Sequence, residues 1–290
     1  MLEVSGSLRK LHTKLDSQNS QNTVEYSFDL DKKLYQVHHV QDIILNIEYL
    51  GEIFCISCQA KTKKSFNQGY CFPCFRKLAS CDLCILSPER CHFHLGTCRE
   101  PEWAMQHCMD DHVVYIANSS GLKVGITRAS QLPTRWIDQG AIQALVIARV
   151  SSRYQAGLLE IICKKHLKDR TDWRVMLKTD ADKVDKINLY QARDDLYEKI
   201  FDEFKQLQEK FLNSKLEWCA DGSGSSELVT EICYPVREYP NKIVSLNLDT
   251  NPSIHGKLLG IKGQYLILDS GVINIRKYTG YQVKLTMSTL

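Results

Sequence analysis

The chain has 290 residues, of which 43% are hydrophobic and 24% charged, and a formal net charge of +3. That balance excludes a disordered tail protein and leaves apolar material for two or three compact units. No apolar run approaches the roughly 20 residues of a membrane helix, and Asp16, Ser17 and Gln18 interrupt any amino-terminal secretion pattern, so a soluble, cytoplasmic protein without a membrane partner is expected.

Residues 1–54 read as strands, with turns expected at Gly6, around Ser17 to Asn22 and at Asp29 to Lys32. Val24 to Leu30 and Ile43 to Leu50 have β-type composition, which predicts a small antiparallel unit. Residues 55–108 then carry little apolar material beyond isolated aromatics such as Phe66, Tyr70, Phe72 and Phe75. A segment so poor in core formers needs another source of folding energy.

Its cysteines supply one. Nine of the twelve cysteines fall between Cys55 and Cys108, and three pairs have two-residue spacing, which suits metal ligation in a reducing compartment better than a disulfide framework. Cys55 and Cys58, twelve residues before Cys71 and Cys74, form two thiolate pairs at the separation of a zinc ribbon or knuckle. Lys61, Lys63 and Lys64 offset thiolate charge, and Gly69 permits a tight turn. A second pair, Cys81 and Cys84, precedes Cys91, His92, His94, Cys98, His107, Cys108 and His112, more donors than one tetrahedral ion can use. The preferred second set is Cys81, Cys84, Cys91 and Cys98, with His94 or Cys108 as substitutes. Dense thiolate ligation predicts closed, structural zinc, one or two ions per chain.

Three β-like runs follow, Val113 to Ala117, Leu122 to Thr127 and Ala144 to Val150, with Asn118 to Gly121 as a hairpin turn between the first two. A short helix is expected over Ser130 to Gln139, which has Pro133 near its start and Gly140 after its end. Leu158, Leu159, Ile162, Cys163 and Leu167 predict a second helix over Tyr154 to Leu167. The order is strand, strand, helix, strand, helix. A longer helix is predicted from about Gln191 to Ser214, where Leu196, Ile200, Phe204, Leu207 and Phe211 recur on one face.

Gly222 to Ser226 reads as a linker. Strands are expected beyond Tyr234, at Lys242 to Leu248, His255 to Ile261, Tyr265 to Leu268, Val272 to Arg276 and Gln282 to Leu285, enough for a small barrel. Whether the two terminal β units pack together is left open by the sequence. The fold class is α+β, divided into a β-rich unit at 1–54, a zinc-binding module at 55–111, a central α/β domain at 112–178, a helical segment with linker at 179–233 and a β-rich unit at 234–290.

The net charge conceals an asymmetry. Residues 113–178 hold eleven Lys/Arg against four Asp/Glu, a net of +7, which points to a polyanionic partner for the middle domain.

His112-Val-Val-Tyr115-Ile-Ala, Gly121-Leu-Lys123-Val-Gly125-Ile-Thr127, Pro133-Thr-Arg135-Trp136 and the later Glu160 together resemble the GIY-YIG nuclease superfamily over residues 112–170. The resemblance implies a site in which Tyr115 positions or deprotonates water, Gly125 closes the second-strand motif, Arg135 stabilises phosphoryl charge and Glu160 holds a divalent ion, Mg2+ or Mn2+. Three departures stand out. Lys123 replaces the second tyrosine of the motif, as in some branches of the superfamily; Gln139 stands where His or Tyr is common; and no asparagine lies in Asp169 to Lys178. Glu160 and Lys164 also have the spacing of a helical ion pair. The runs Cys91 to Trp103 and Thr134 to Ala141 resemble an uncharacterised bacterial zinc-binding protein family, over most of the chain.

The expectation is therefore a zinc protein associated with DNA or RNA, acting as a divalent-metal-dependent endonuclease. Arg128, Arg135, Arg149, Arg153, Lys164, Lys165 and Arg170 would meet the phosphates. Two alternatives stay open: a catalytically silent nucleic-acid-binding module, and a zinc-stabilised adaptor for protein partners that docks through the helix near Asp194 to Glu209 and the terminal β unit.

Overall fold

The computed structural model describes residues 1–16, 22–38, 40, 43–180, 186–220 and 227–289. The turn expected over Ser17 to Asn22, apart from Asn22 itself, and the linker Gly222 to Ser226 lie outside the described residues. The fold is mixed α+β, with more strand than helix.

The amino-terminal strands are β1 (Leu2–Ser7), β2 (His12–Asp16), β3 (Thr23–Leu30), β4 (Lys33–Gln36) and β5 (Ile43–Phe54). They do not make one unit. β2, β3 and β4 form a three-stranded sheet of their own, whereas β1 and β5 join the carboxy-terminal strands. Those are β12 (Ser253–Lys262), β13 (Tyr265–Leu268), β14 (Gly271–Asn274) and β15 (Tyr281–Thr289). The larger sheet runs β1-β15-β5-β12-β13-β14, with β6 (Lys61–Thr62) on the flank of β5. β15 pairs antiparallel with both β1 and β5, so the two chain ends share a sheet that neither could build alone.

Three expectations need correction. Gly6 makes no turn: it lies within β1, where a Cβ would come within 2.6 Å of the Asp31 carboxylate, so its role is close approach. The turn that does form is at Asp31 and Lys32, both with positive φ, joining β3 to β4. Lys242 to Leu248 is not a strand; it lies along β14 through the reciprocal bonds Leu246 N to Val272 O and Val272 N to Val244 O, both 2.8 Å, and buries only Leu248 fully. The carboxy-terminal strands make no separate barrel, because β12 and β15 pair with β5.

The central elements appear in the expected order. β7 (His112–Asn118) and β8 (Leu122–Arg128) pair as a hairpin whose turn ends on Gly121, at φ +113. α4 (Thr134–Asp138) is shorter than the predicted helix, a 3-10 turn over 129–131 taking its first part. β9 (Gln143–Val150) and α5 (Arg153–Lys164) follow, then α6 (Trp173–Lys178) and α7 (Leu189–Lys210). The sheet order is β10-β9-β7-β8, with β10 (Leu216–Trp218) at one edge and β11 (Thr230–Glu231) also paired to β9.

β7 is buried at every position, and its alternation sorts side chains between two cores. Val113, Tyr115 and Ala117 join a core shared with the terminal sheets, while Val114 and Ile116 face α5 and α7. A central strand packed on both faces reads as a continuous apolar run, as His112 to Asn118 nearly does. α7 presents Leu189, Leu196, Ile200, Phe204 and Leu207 to the second core, at the three- and four-residue spacing of one helical face. No helix among the described residues is long and apolar enough to cross a membrane.

Candidate metal centre and basic groove

Cys55 follows the last residue of β5, and the turn after it brings Cys58 back alongside. Gln59 at φ 61 and the bonds Gln59 N to Cys55 O and Cys55 N to Ala60 O hold that knuckle. Cys71 is the N-cap of α1 (Phe72–Lys77), and Cys74 lies within that helix. Asn67, Gln68 and Gly69, all with positive φ, turn the chain so that the two pairs face each other. Ile56 N to Gly69 O, 2.8 Å, ties the second turn to the first. The four sulfurs lie within 4.8 Å of one another, with Cys58 and Cys71 at 3.6 Å.

A tetrahedral zinc ion with sulfurs at about 2.3 Å requires sulfur–sulfur separations of about 3.8 Å, and these residues fit. Electrostatics agree. Burial opposes ionisation of Cys55, but backbone N–H groups of Cys58, Cys71 and Ser57 outweigh it and lower the thiol to about 6. Cys74 is pushed up to about 12 by burial and by the three neighbouring sulfurs, the repulsion that a divalent ion would relieve. Phe66 packs against Phe72 and Phe75.

The later cysteines are arranged differently from the expected set. Cys84, Cys91, Cys98 and Cys108 line one small cavity together with Asp82 and His92, whereas Cys81 and His94 are not among its lining residues. The Cys81 sulfur lies 3.9 Å from the Ser80 hydroxyl, and His94 packs on Tyr154.

The central constellation is brought together in space. Tyr115 and Gly125 pair directly across β7 and β8, and a Cβ on Gly125 would meet the Tyr115 hydroxyl at 2.6 Å. Glycine at this position lets the ring lie across the edge strand. The phenol donates to Gln139 Oε1 at 2.8 Å, and the same oxygen accepts from Lys123 Nζ at 2.7 Å. Lys123 Nζ also donates to Thr171 Oγ1 at 2.7 Å. Burial raises the Tyr115 phenol, with Arg135 pulling it down and Glu160 pushing it up, so the phenol senses both charges. Lys123 is driven down to about 7, first by burial and then by Arg135, against Asp169 and Glu160.

Glu160 is buried and pairs with Lys164 at 3.1 Å, and Lys164 also meets Asp169 at 3.2 Å. Two carboxylates already bridged by one ammonium are a poor donor set for Mg2+ or Mn2+, which take several oxygens. The residues as placed do not fit that ion.

Beside Arg135 opens a groove of about 770 Å3. Its walls carry seven cationic side chains, Arg9, Lys10, Lys32, Arg128, Arg135, Arg153 and Arg276, against Asp29 and Asp138. Of the cations expected from the sequence to meet phosphates, Arg128, Arg135 and Arg153 line this groove. Arg149, Lys164 and Lys165 are instead engaged in ion pairs with Glu227, Glu160 and Glu203. Arg9, Lys10 and Arg276 come from the chain ends, gathered by Gln264, which bonds both backbone groups of Leu11 (2.7 and 3.1 Å) and the Asp138 carboxylate (2.8 Å). Asp138 in turn pairs with Lys10 at 2.7 Å. No local sequence signal announces such a convergence. The Nε atoms of Arg9 and Arg153 are buried without a hydrogen-bond partner. Burial lowers Arg276, with Asp138 raising it and Arg135 lowering it further.

These features define a mixed α+β protein that carries a four-cysteine centre compatible with zinc beside a basic groove. Within that class, the chain belongs to the family described as "Protein of unknown function (DUF2797)", whose sequence model matches residues 43–283. The match takes in the four-cysteine centre and the central sheet, while β1 to β4 precede it. No curated protein and no solved structure matches the chain.

Proposed function

We propose that this protein binds nucleic acid through its phosphate backbone in the basic groove, with a structural zinc ion at Cys55, Cys58, Cys71 and Cys74 fixing one side of that groove. One observation carries the reading: seven cations from separate parts of the chain crowd one concave surface against two carboxylates. Gathering like charges costs free energy unless a polyanion neutralises them, and guanidinium groups suit phosphate oxygens by shape as well as charge. Ile56, Asn67 and Gln68 of the zinc module stand in the same groove, so the module's order sets the groove's width.

The GIY-YIG-like sequence order supports a nucleic-acid partner, but the reading is of binding without cleavage. Lys123 is locked to Gln139 and Thr171, and Glu160 to Lys164, which leaves neither free for a scissile phosphate or a divalent ion.

The test is fluorescence anisotropy with labelled DNA and RNA oligonucleotides, single- and double-stranded, across a salt series. Engagement of four or five groove cations predicts a log–log salt slope of about −3 to −4.5. Arg9→Ala with Arg276→Ala reduces its magnitude by about 1.5, while Lys165→Ala leaves it unchanged. Salt-independent binding, or wild-type affinity in the double variant, refutes the proposal. Cleavage with Mg2+ or Mn2+ that disappears in Glu160→Ala would replace it with the endonuclease reading.

A further inference from the structure

We infer a second thiolate metal site, in which Cys84, Cys91, Cys98 and Cys108 hold one zinc ion in the cavity between the 79–98 turns and α3 (Pro101–His107). The cavity is about 10 Å3, about the space of a single water-sized sphere. Four cysteines, Cys84, Cys91, Cys98 and Cys108, line it. Cys84 lies in α2 (Leu83–Leu86), Cys91 follows a 3-10 turn at 88–90, and Cys108 is the C-cap of α3. Cys84, Cys91 and Cys108 are buried, and none of the four is in a disulfide.

Folding energetics require something at this place. From residue 79 to residue 111 the buried apolar side chains other than cysteine are Ala79, Pro88 and Ala104, too little to hold five short helical turns together. A closed tetrathiolate site would supply that energy directly. Asp82 and His92 bring ligand atoms within 4.8 Å of the Cys84 sulfur and of each other, but both are already engaged: Asp82 pairs with Arg99 at 2.6 Å and caps α2, and His92 bonds Thr97 at 2.8 Å. They remain outside the ion's first sphere, leaving it to sulfur.

The site has a structural consequence for the groove. Arg153 donates its backbone N–H to Cys108 O at 2.7 Å and its Nη2 to Ile85 O at 2.6 Å, while Gly157 of α5 touches Pro88 so closely that a Cβ would sit 2.5 Å from its ring. The second ion therefore pins the 79–98 turns against α5 and holds Ile85, Leu86 and Arg153 in the groove wall. This inference is independent of what the groove binds.

Zinc content of the full-length protein, measured by native mass spectrometry after dialysis against metal-free buffer, decides it. Two zinc ions per wild-type chain are expected, falling to one in Cys84→Ser and in Cys108→Ser, and staying at two in Cys81→Ser and His94→Ala. Cobalt loaded into Cys71→Ser should still give the tetrahedral thiolate spectrum, from the second site alone. One zinc per wild-type chain overturns the inference, without need of any variant that might misfold. Two zinc ions retained in Cys84→Ser, or loss in His92→Ala with retention in Cys98→Ser, overturns the four-sulfur ligand set.

Discussion

Gly125→Ala tests how the central constellation is assembled. A methyl group at that position would lie 2.6 Å from the Tyr115 hydroxyl and 2.7 Å from its ring carbon, about 0.8 Å inside ordinary contact. The ring cannot retreat, because Tyr115 is fully buried, its hydroxyl is held by Gln139 at 2.8 Å and its edge packs on Trp136. Overpacking of this kind costs about 1–3 kcal/mol, and loss of the Gln139 bond adds about 1 kcal/mol, for a total of about 2–4 kcal/mol. Urea unfolding followed by far-UV circular dichroism measures this, provided that the m-value is unchanged. The cause is isolated by a double-mutant cycle. Tyr115→Leu destabilises by about 2–3 kcal/mol through its cavity, but in that background Gly125→Ala should cost less than about 0.5 kcal/mol, because the clashing atoms are gone. Additive losses would refute the argument, since they would mean that the glycine serves its own backbone and not the tyrosine.

Other perturbations follow from the same geometry. His112 is fully buried, with Nδ1 on Asp110 O and Nε2 unpartnered, and burial above all lowers it to about 4. Between about pH 6.5 and 4 the unfolded chain takes up a proton that the folded chain refuses, so stability falls with pH by about 3 kcal/mol; His112→Gln lacks that decrement in parallel urea titrations, and an identical slope would reject it. Cys71→Ser should lower zinc content by one ion per chain and expose residues 55–78 to limited proteolysis, since the Phe66 cluster alone is too small a core. Phe204→Ala, fully buried between α7 and the central sheet, should cost about 3–5 kcal/mol by thermal or urea unfolding. Asp172 caps α6 by accepting from Arg174 N and Val175 N, and Asp172→Ala should cost about 1 kcal/mol, measured the same way.

How much of this was legible in the sequence differs by element, for reasons that can be named. The cysteine spacing announced the four-cysteine cluster because both pairs are local: a knuckle and one helical turn each fix two sulfurs within four residues, and only the 12-residue connection had to fold back. The second cluster has longer gaps, so spacing alone favoured Cys81 over Cys108, and only packing of α3 against the 79–98 turns brought Cys108 to the cavity. The predicted strands of the central sheet and the helix at α7 were readable because their periodicity is written residue by residue.

By itself the sequence determined the α+β class, the thiolate pairs, the strand–strand–helix–strand–helix order and the positive charge of the middle segment, all properties carried by neighbours along the chain. The tertiary structure alone decided that β1 and β15 share a sheet, that Lys242 to Leu248 falls short of a strand, and that Arg9 and Arg276 meet Arg135 across one groove. The first and last of these depend on contacts between residues more than a hundred positions apart, such as Gln264 with Leu11 and Asp138, and the second on how Val244 and Leu246 meet Val272; no periodicity or spacing encodes such meetings.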